Sequence, residues 1–358
     1  MDILLIVAVF GALALLQSVL ITRLGLRSFS YGRRFSSPTA SAGDTVELIE
    51  VIRNRSLLFL PWVRLEMRMP SSFLFRTREE VDIRGERYHK SVFTLMPFSQ
   101  VTRRHHVTVE RRGHFVLSQA SMSSGDLMGM KAVARTLDAP AEIFVLPVPL
   151  FPGDGLLPSS RAQGEVSVQR WIQPDPFLVN GIREYRAGDA EKEIHWAATA
   201  RTGNLQVKTH DYTADPRLMV LINMQKTEAQ WGDLMDYEQE RVEQAISMAA
   251  GLCCQALRRG MEAGFAANMP LDEAEESAFL PPARGTGREE TLLRAMACLR
   301  VRRTLSFPSF LKQLPPLSGC DIVILSCYDS PAIREQMALM RRLGNSVTLL
   351  SVPEVSHA

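Results

Sequence analysis

Residues 217–224 read RLMVLINM, in which Leu218 to Ile222 form an apolar run that no polar side chain interrupts. A strand with one wet face alternates, whereas a strand covered on both faces need not. The run therefore predicts a buried strand of a parallel sheet. Downstream, YEQERVEQAISMAAGLCCQALRRG (237–260) carries Val242, Ile246, Ala249, Cys253 and Leu257 down one helical face, with Gly260 placed as a C-terminal cap. AGFAAN (263–268) is a short strand candidate, REETLLRAMACLR (288–300) a helix and CDIVILSCY (320–328) a second buried strand. SPAIREQMALMRRLG (330–344) is a helix with Ser330 as N-cap, Pro331 at its first position and Gly344 as terminator. NSVTLLSV (345–352) closes the sheet. This alternation predicts a doubly wound α/β domain over 217–358, with ligands expected at the carboxyl ends of its strands.

Upstream the period changes to two. In PWVRLEMRMP (61–70), Val63, Leu65, Met67 and Met69 alternate with Trp62, Arg64, Glu66 and Arg68. SVFTLMP (91–97), VTRRHHVTVE (101–110) and HFVLSQA (114–120) behave alike, which predicts an antiparallel, Ig-like β-sandwich over 43–150. His89, His105, His106 and His114 fall here. Neighbours on a strand point to opposite faces, so His105 and His106 cannot share one ion, and these read as solvent-facing strand histidines. FPGDGLLPSSRAQGE lies within an expected linker over 151–170.

The first residues are of another kind. ILLIVAVFGALALLQSVLI (3–21) spans about 28 Å as a helix, close to the hydrocarbon thickness of a bilayer. Arg23, Arg27, Arg33 and Arg34 follow it, with no positive side chain before it. The expectation is an α+β multidomain chain with a single-pass transmembrane anchor over 1–22, a basic juxtamembrane linker over 23–42 and the bulk of the chain cytoplasmic at an inner membrane. The net charge of +2 gives no general argument for nucleic acid. From Arg23 to Arg112, however, 17 Lys/Arg stand against 9 Asp/Glu, which suits an anionic leaflet. The five cysteines form no CxxC pair and lie in apolar patterns, as small hydrophobes in a reducing compartment do.

Chemistry is sought first beyond the strand at 217–222. There, Asn223, Gln225 and Thr227 have the spacing of a DxSxS metal loop without its carboxylate, and Asp329 follows the later strand. A Mg²⁺ site needs hard, preferably anionic oxygens, so this loop reads as degenerate and no cofactor is expected. The densest charge lies at 181–212, GIREYRAGDAEKEIHWAATARTGNLQVKTHDY. The residues predict a strand, an AGD turn, a helix over 190–201 capped by Asp189 and ended by Gly203, and a second strand, together an element over 171–216. His195 with Asp189 could form a base and its orienting acid, but no nucleophile accompanies them. Arg183, Arg186 and Arg201 could bind an anion or a partner's carboxylate. The remaining reading is an ion-pair network with Trp196 as a packing anchor. No catalytic residue is assigned.

The pattern G-x-R-x-Y-x-x-G-D, I-x-W, A-R-x-G-x-L-x-V in that segment resembles the signature of the bacterial domain-of-unknown-function 58 family. Gly181, Arg183, Tyr185, Gly188, Asp189, Ile194, Trp196, Ala200, Arg201, Gly203, Leu205 and Val207 carry it. The resemblance implies a von Willebrand factor A-like C-terminal domain and a MoxR-type AAA+ ATPase partner in envelope-associated assembly, with no established enzymatic activity. Members commonly begin with two membrane helices where one is read here. Their D-P-F-G turn is replaced by GDLMGM around Asp126 and Gly129. The resulting expectation is a non-enzymatic scaffold docking through Arg183, Tyr185, Arg186, Trp196 and Arg201. The alternatives are a metal-dependent adhesion module and a hydrolase.

Overall fold

The computed structural model describes residues 29–75, 80–83, 86–125, 132–151, 174–185, 194–212, 216–228, 236–272 and 274–353, with residues 5, 11, 230 and 234 besides. It divides into two units, Met1–Val148 with Leu293–Cys298, and Pro149–Leu292 with Leu299–Ala358.

The first unit is built from two sheets. One has the order β1 (Phe29–Phe35), β3 (Thr45–Asn54), β8 (Gln100–Val109), β5 (Phe73–Phe75). The other has the order β2 (Thr39–Ser41), β10 (Ala132–Leu146), β9 (Gly113–Gly125), β4 (Leu60–Met69), β7 (Glu86–Leu95), β6 (Glu80–Ile83). Alternation sets the inward face. Val63, Leu65, Met67 and Met69 are buried, and they join residues of the other sheet in two apolar clusters. An Ig-like sandwich matches this only in part, because β2 pairs parallel with β10. Strands β1 and β2 also occupy much of the stretch expected to be a linker.

The second unit begins with a two-stranded ribbon, β11 (Pro174–Glu184) and β12 (Gln206–Tyr212), with α1 (Trp196–Thr202) between them in sequence. A five-stranded sheet follows, built from β13 (Arg217–Ile222), β14 (Glu262–Pro270), β15 (Ser277–Ala283), β16 (Cys320–Ser326) and β17 (Ser346–Ser351). Its order is β15-β14-β13-β16-β17, parallel except for the edge strand β15. The helices are α2 (Asp236–Arg258), α3 (Arg288–Ala297), whose residues from Leu293 on count with the first unit, α4 (Phe307–Gln313) and α5 (Pro331–Arg342). Met219 and Leu221, with Ile322 and Ile324, pack on α4 and α5 through Phe307, Phe310, Ile333 and Met337. Leu218, Val220 and Ile222 face the other way and are also fully buried, on the side where α2 crosses β13 and β14. Coverage on both faces is why the run at 217–222 needs no alternation.

One expectation is overturned and one strand is new. The chain is predominantly strand, 48% against 23% helix, so an α+β description with an N-terminal transmembrane helix does not stand. No helix among the described residues is long and apolar enough to cross a membrane. The apolar run at 3–21 lies almost wholly outside those residues. Strand β15, for which no element was read, contains Pro281 and Pro282. A sheet edge tolerates proline, since no further ladder needs its missing N–H.

At that edge β14 carries Gly264 beneath a register shift in β15. A Cβ at Gly264 would lie 2.5 Å from the Leu280 carbonyl oxygen and 2.6 Å from Pro281 C. The obstacle is backbone and cannot rotate away. Gly264→Ala is therefore expected to destabilise the second unit by about 1–3 kcal/mol. Hydrogen exchange of the β14 and β15 peptides would show it as accelerated opening.

Candidate functional site

In the ribbon, Arg183 lies opposite Val207 and Glu184 opposite Gln206. On the other side of β12, Ile194 bridges Val207 and the His195 N–H donates to the Gln206 carbonyl. That pairing holds residues 194 and 195 extended, so α1 begins at Trp196 and not at 190 as its composition suggested. The cap is His195, whose Nδ1 accepts the Ala198 N–H at 3.1 Å. Gly203 closes the helix at φ 76°, its N–H donating to Thr199 O. The Thr199 hydroxyl in turn accepts the Gln206 N–H.

This geometry bears on the readings of the segment. A histidine whose Nδ1 accepts a helix N–H has no proton there to donate to an orienting carboxylate, which counts against an Asp–His dyad at His195. Arg186, Gly188 and Asp189 lie outside the described residues, and so does the expected Asp189 cap. Arg183 and Arg201 are exposed, and Tyr185 is half-buried. Trp196 is 68% exposed, so it does not anchor packing. An indole held at a helix start and left in solvent is unusual for a residue mostly buried elsewhere.

The strand ends tell a different story. Neighbours β14 and β16 leave β13 on opposite sides, so the crevice beyond β13 and β16 is a switch point where ligands commonly bind. Here it is filled by the protein's own hydrogen bonds. Asn223 Nδ2 donates to Ser326 Oγ at 3.0 Å, and its Oδ1 accepts the Gln225 N–H at 2.9 Å. Asn268 Oδ1 accepts the Met224 N–H, while its Nδ2 donates to Leu305 O. Gln225 Oε1 accepts the Phe307 N–H at 2.6 Å, at the first position of α4, whose N-cap Ser306 makes no side-chain cap bond. Gln225 thus caps a helix remote in sequence.

Asn223 and Gln225 are fully buried, whereas Thr227 is exposed. Asp329 forms a forked pair with Arg334, with Oδ2 2.6 Å from Nη2 and 2.9 Å from Nε. That hydrogen bond holds the Asp329 carboxyl below its usual range. Asn223 and Gln225 are therefore a latch between strand ends, and Asp329 is half of a surface ion pair. Holding Mg²⁺ would require breaking those bonds for neutral oxygens, a poor exchange for a cation reluctant to lose water.

Cysteine chemistry fares no better. Burial pushes the Cys254 thiol up to about 12, with Glu289 adding to it, and burial also raises Cys253, Cys320 and Cys327. A protonated, enclosed thiol is a hydrophobe and not a nucleophile.

One polar constellation was missed in the sequence. Inside the first unit, Glu50 is fully buried; its Oε2 accepts from His105 Nε2 at 2.8 Å and its Oε1 from the Tyr31 hydroxyl at 2.5 Å. The ring of His89, from the opposite sheet, lies edge-on to His105 at 4.7 Å and stacks on Phe75. Ser91 Oγ bonds His89 Nε2 at 3.2 Å. Arg33, also buried, donates from Nε to Ala139 O at 2.7 Å. Burial alone would raise the Glu50 carboxyl, but the bonds from His105 and Tyr31 outweigh it and hold it below the ordinary range. Burial, reinforced by Glu50, raises the Tyr31 phenol. His89 and His105 are thus core residues and not solvent-facing; only His106 points out, and His114 bonds Glu142 at 2.9 Å. The signal was parity, since His105 shares a face with Val107 and Val109.

Residues 181–323 match the model of a family described as "Protein of unknown function DUF58". No curated protein matches. Among solved structures, the chain is similar to the CARDB domain of a Pyrococcus furiosus protein at 10% identity, covering 34% of this chain and 91% of that one, with a TM-score of 0.22. A non-cellulosomal cohesin from Archaeoglobus fulgidus is 9% identical over 33% of this chain and 91% of its own, with a TM-score of 0.23. A Vibrio harveyi GH20 exo-β-N-acetylglucosaminidase is 10% identical over 87% and 59%, with a TM-score of 0.23. Scores this low carry no argument about fold or function.

Proposed function

We propose that this chain is a non-enzymatic interaction protein that docks a protein partner through the element at 181–212. The observation that carries the reading is the exposed Trp196, on an element that also presents Arg183 and Arg201 to solvent. Tryptophan and arginine dominate binding energy at protein interfaces, where an indole fills a pocket and a guanidinium pairs with a carboxylate. The groups best suited to chemistry support it too, because each has a structural task. His195 caps α1, Asn223 and Gln225 latch strand ends, and Cys253, Cys254 and Cys320 are buried.

The family resemblance suggests a MoxR-type AAA+ ATPase as the partner, with the second unit as a von Willebrand factor A-like platform that has lost its metal loop. The test is the affinity of the full chain for that ATPase by interferometry. Trp196→Ala is expected to weaken binding at least about tenfold, and Arg183→Ala by about three- to tenfold, with no change in melting, since both side chains are exposed. Unaltered affinity in folded variants would remove the element from the interface.

A further inference from the structure

Apart from the element at 181–212, the first unit carries a second exposed apolar feature. The loops β3–β4 and β7–β8 emerge side by side at one end of the two sheets, and they present Leu57, Met96 and Phe98 at 79%, 61% and 67% exposure. These side chains are held there by design of the backbone. The Phe98 N–H donates to Ser56 O at 3.2 Å, joining the loops, and the Asn54 N–H donates to Ser99 O at 2.9 Å. The buried Asn54 side chain donates from one amide nitrogen to Leu58 O and to Met96 O, and its Oδ1 accepts the Ser56 N–H and hydroxyl. Phe98 itself sits at φ 51°, in the left-handed region a bulky residue rarely adopts. Strain of this sort persists where the surroundings over-determine it, and here it keeps an aromatic ring in water.

We propose that this tip is a membrane-surface contact, which inserts Leu57, Met96 and Phe98 shallowly among the headgroups of an anionic bilayer. Two observations select lipid over a protein partner. The first is size. Three side chains at two adjacent loop ends offer a few hundred Å² at most, short of the roughly 800 Å² per partner of a stable protein interface. They suit an apolar wedge about 5–10 Å deep. The second is charge. Neither 51–65 nor 91–109, which hold the tip loops and the strand ends next to them, contains an Asp or Glu, while Arg53 and Arg55 shortly precede Leu57. Both arginines are exposed, where anionic headgroups would meet them. Strand β1 also starts at this end, with Phe29 opposite Asn54, and the sequence leading into it carries Arg23 and Arg27. No membrane-crossing helix is needed for such a contact.

The test uses the full chain on phosphatidylcholine vesicles with and without phosphatidylglycerol, each doped with a diazirine-bearing lipid, and maps photolabelled peptides by mass spectrometry. Labelling confined to named peptides separates the tip from any other apolar part of the chain. The peptides holding Leu57 and Phe98 are expected to be labelled at least about tenfold more than the β8–β9 turn at Glu110, and more with phosphatidylglycerol present. Leu57→Ser with Phe98→Ser should lower that labelling by about tenfold or more, and Arg55→Glu by about tenfold on the anionic vesicles alone. Equal labelling of both ends, tip peptides unlabelled, or double-variant labelling equal to wild type would each overturn the proposal.

Discussion

Glu50→Ala is expected to cost the first unit about 3–5 kcal/mol at neutral pH, the usual penalty for removing one partner of a buried charged cluster. The carboxylate accepts on both oxygens, from the buried His105 and the half-buried Tyr31. Removing it leaves those two donors without their acceptor and takes a compensating negative charge away from the nearby Arg33. The pH dependence follows from the direction of the shift. A carboxyl whose folded pKa is depressed contributes stability that is fully present above the unfolded value, about 4.3 for glutamate, and lost as pH falls through the lower folded value. Wild-type hydrogen exchange in β3 and β8 should therefore quicken below about pH 4, and the variant should lack that part of the acid limb. The groups that face Glu50 are Tyr31 and Arg33 on β1, His105 on β8 and His89 on β7, with Glu80 of β6 opposite His89 in register. A variant in which Glu50, His105 and Tyr31 become Leu, Phe and Phe should recover much of the lost stability, since a packed apolar replacement removes the unpaired donors as well. Failure of that recovery would mean that the cluster specifies sheet pairing and does not merely neutralise itself.

What could be read from the residues alone depended on how local the determining physics is. The run at 217–222 and the alternation at 61–70 were legible, because burial of each residue follows from its strand's own period. The cap at Ser330, with Pro331 after it and Gly344 beyond, was legible for the same reason, since a helix end is decided within a few residues. The start of α1 was not, because Ile194 and His195 are held extended by β12, a partner known only once the chain is folded. Trp196 was read both as a packing anchor and as a docking residue, and only its exposure in the folded chain tells against the first. The pairing of Glu50 with His105 joins residues 55 apart, and its link to His89 crosses between sheets, so neither has a spacing signature. At the strand ends the spacing of Asn223, Gln225 and Thr227 was visible, but Gln225 proved to serve a helix 82 residues away.

That last contact sets the second large effect, with Gln225→Ala expected to destabilise the second unit by about 2–4 kcal/mol. The Phe307 N–H would lose its acceptor inside the core, at about 1–3 kcal/mol, and the vacated volume adds a cavity cost. Leu is the wrong rescue, as it fills the space but leaves the N–H orphaned; Gln225→Glu keeps an acceptor at the start of α4 and should lose less. The same experiment separates a latch from a metal loop. A site that held Mg²⁺ would raise the wild type's melting temperature with ion concentration, because a ligand bound only by the folded state stabilises it by mass action. With Asn223 and Gln225 committed to Ser326 and Phe307, millimolar Mg²⁺ or Mn²⁺ should leave the wild type's melting where it was and leave the variant's deficit undiminished. A calorimetric scan showing an ion-dependent rise in the wild type that Gln225→Ala abolishes would reverse the assignment, and would make the crevice between β13 and β16 a binding site after all.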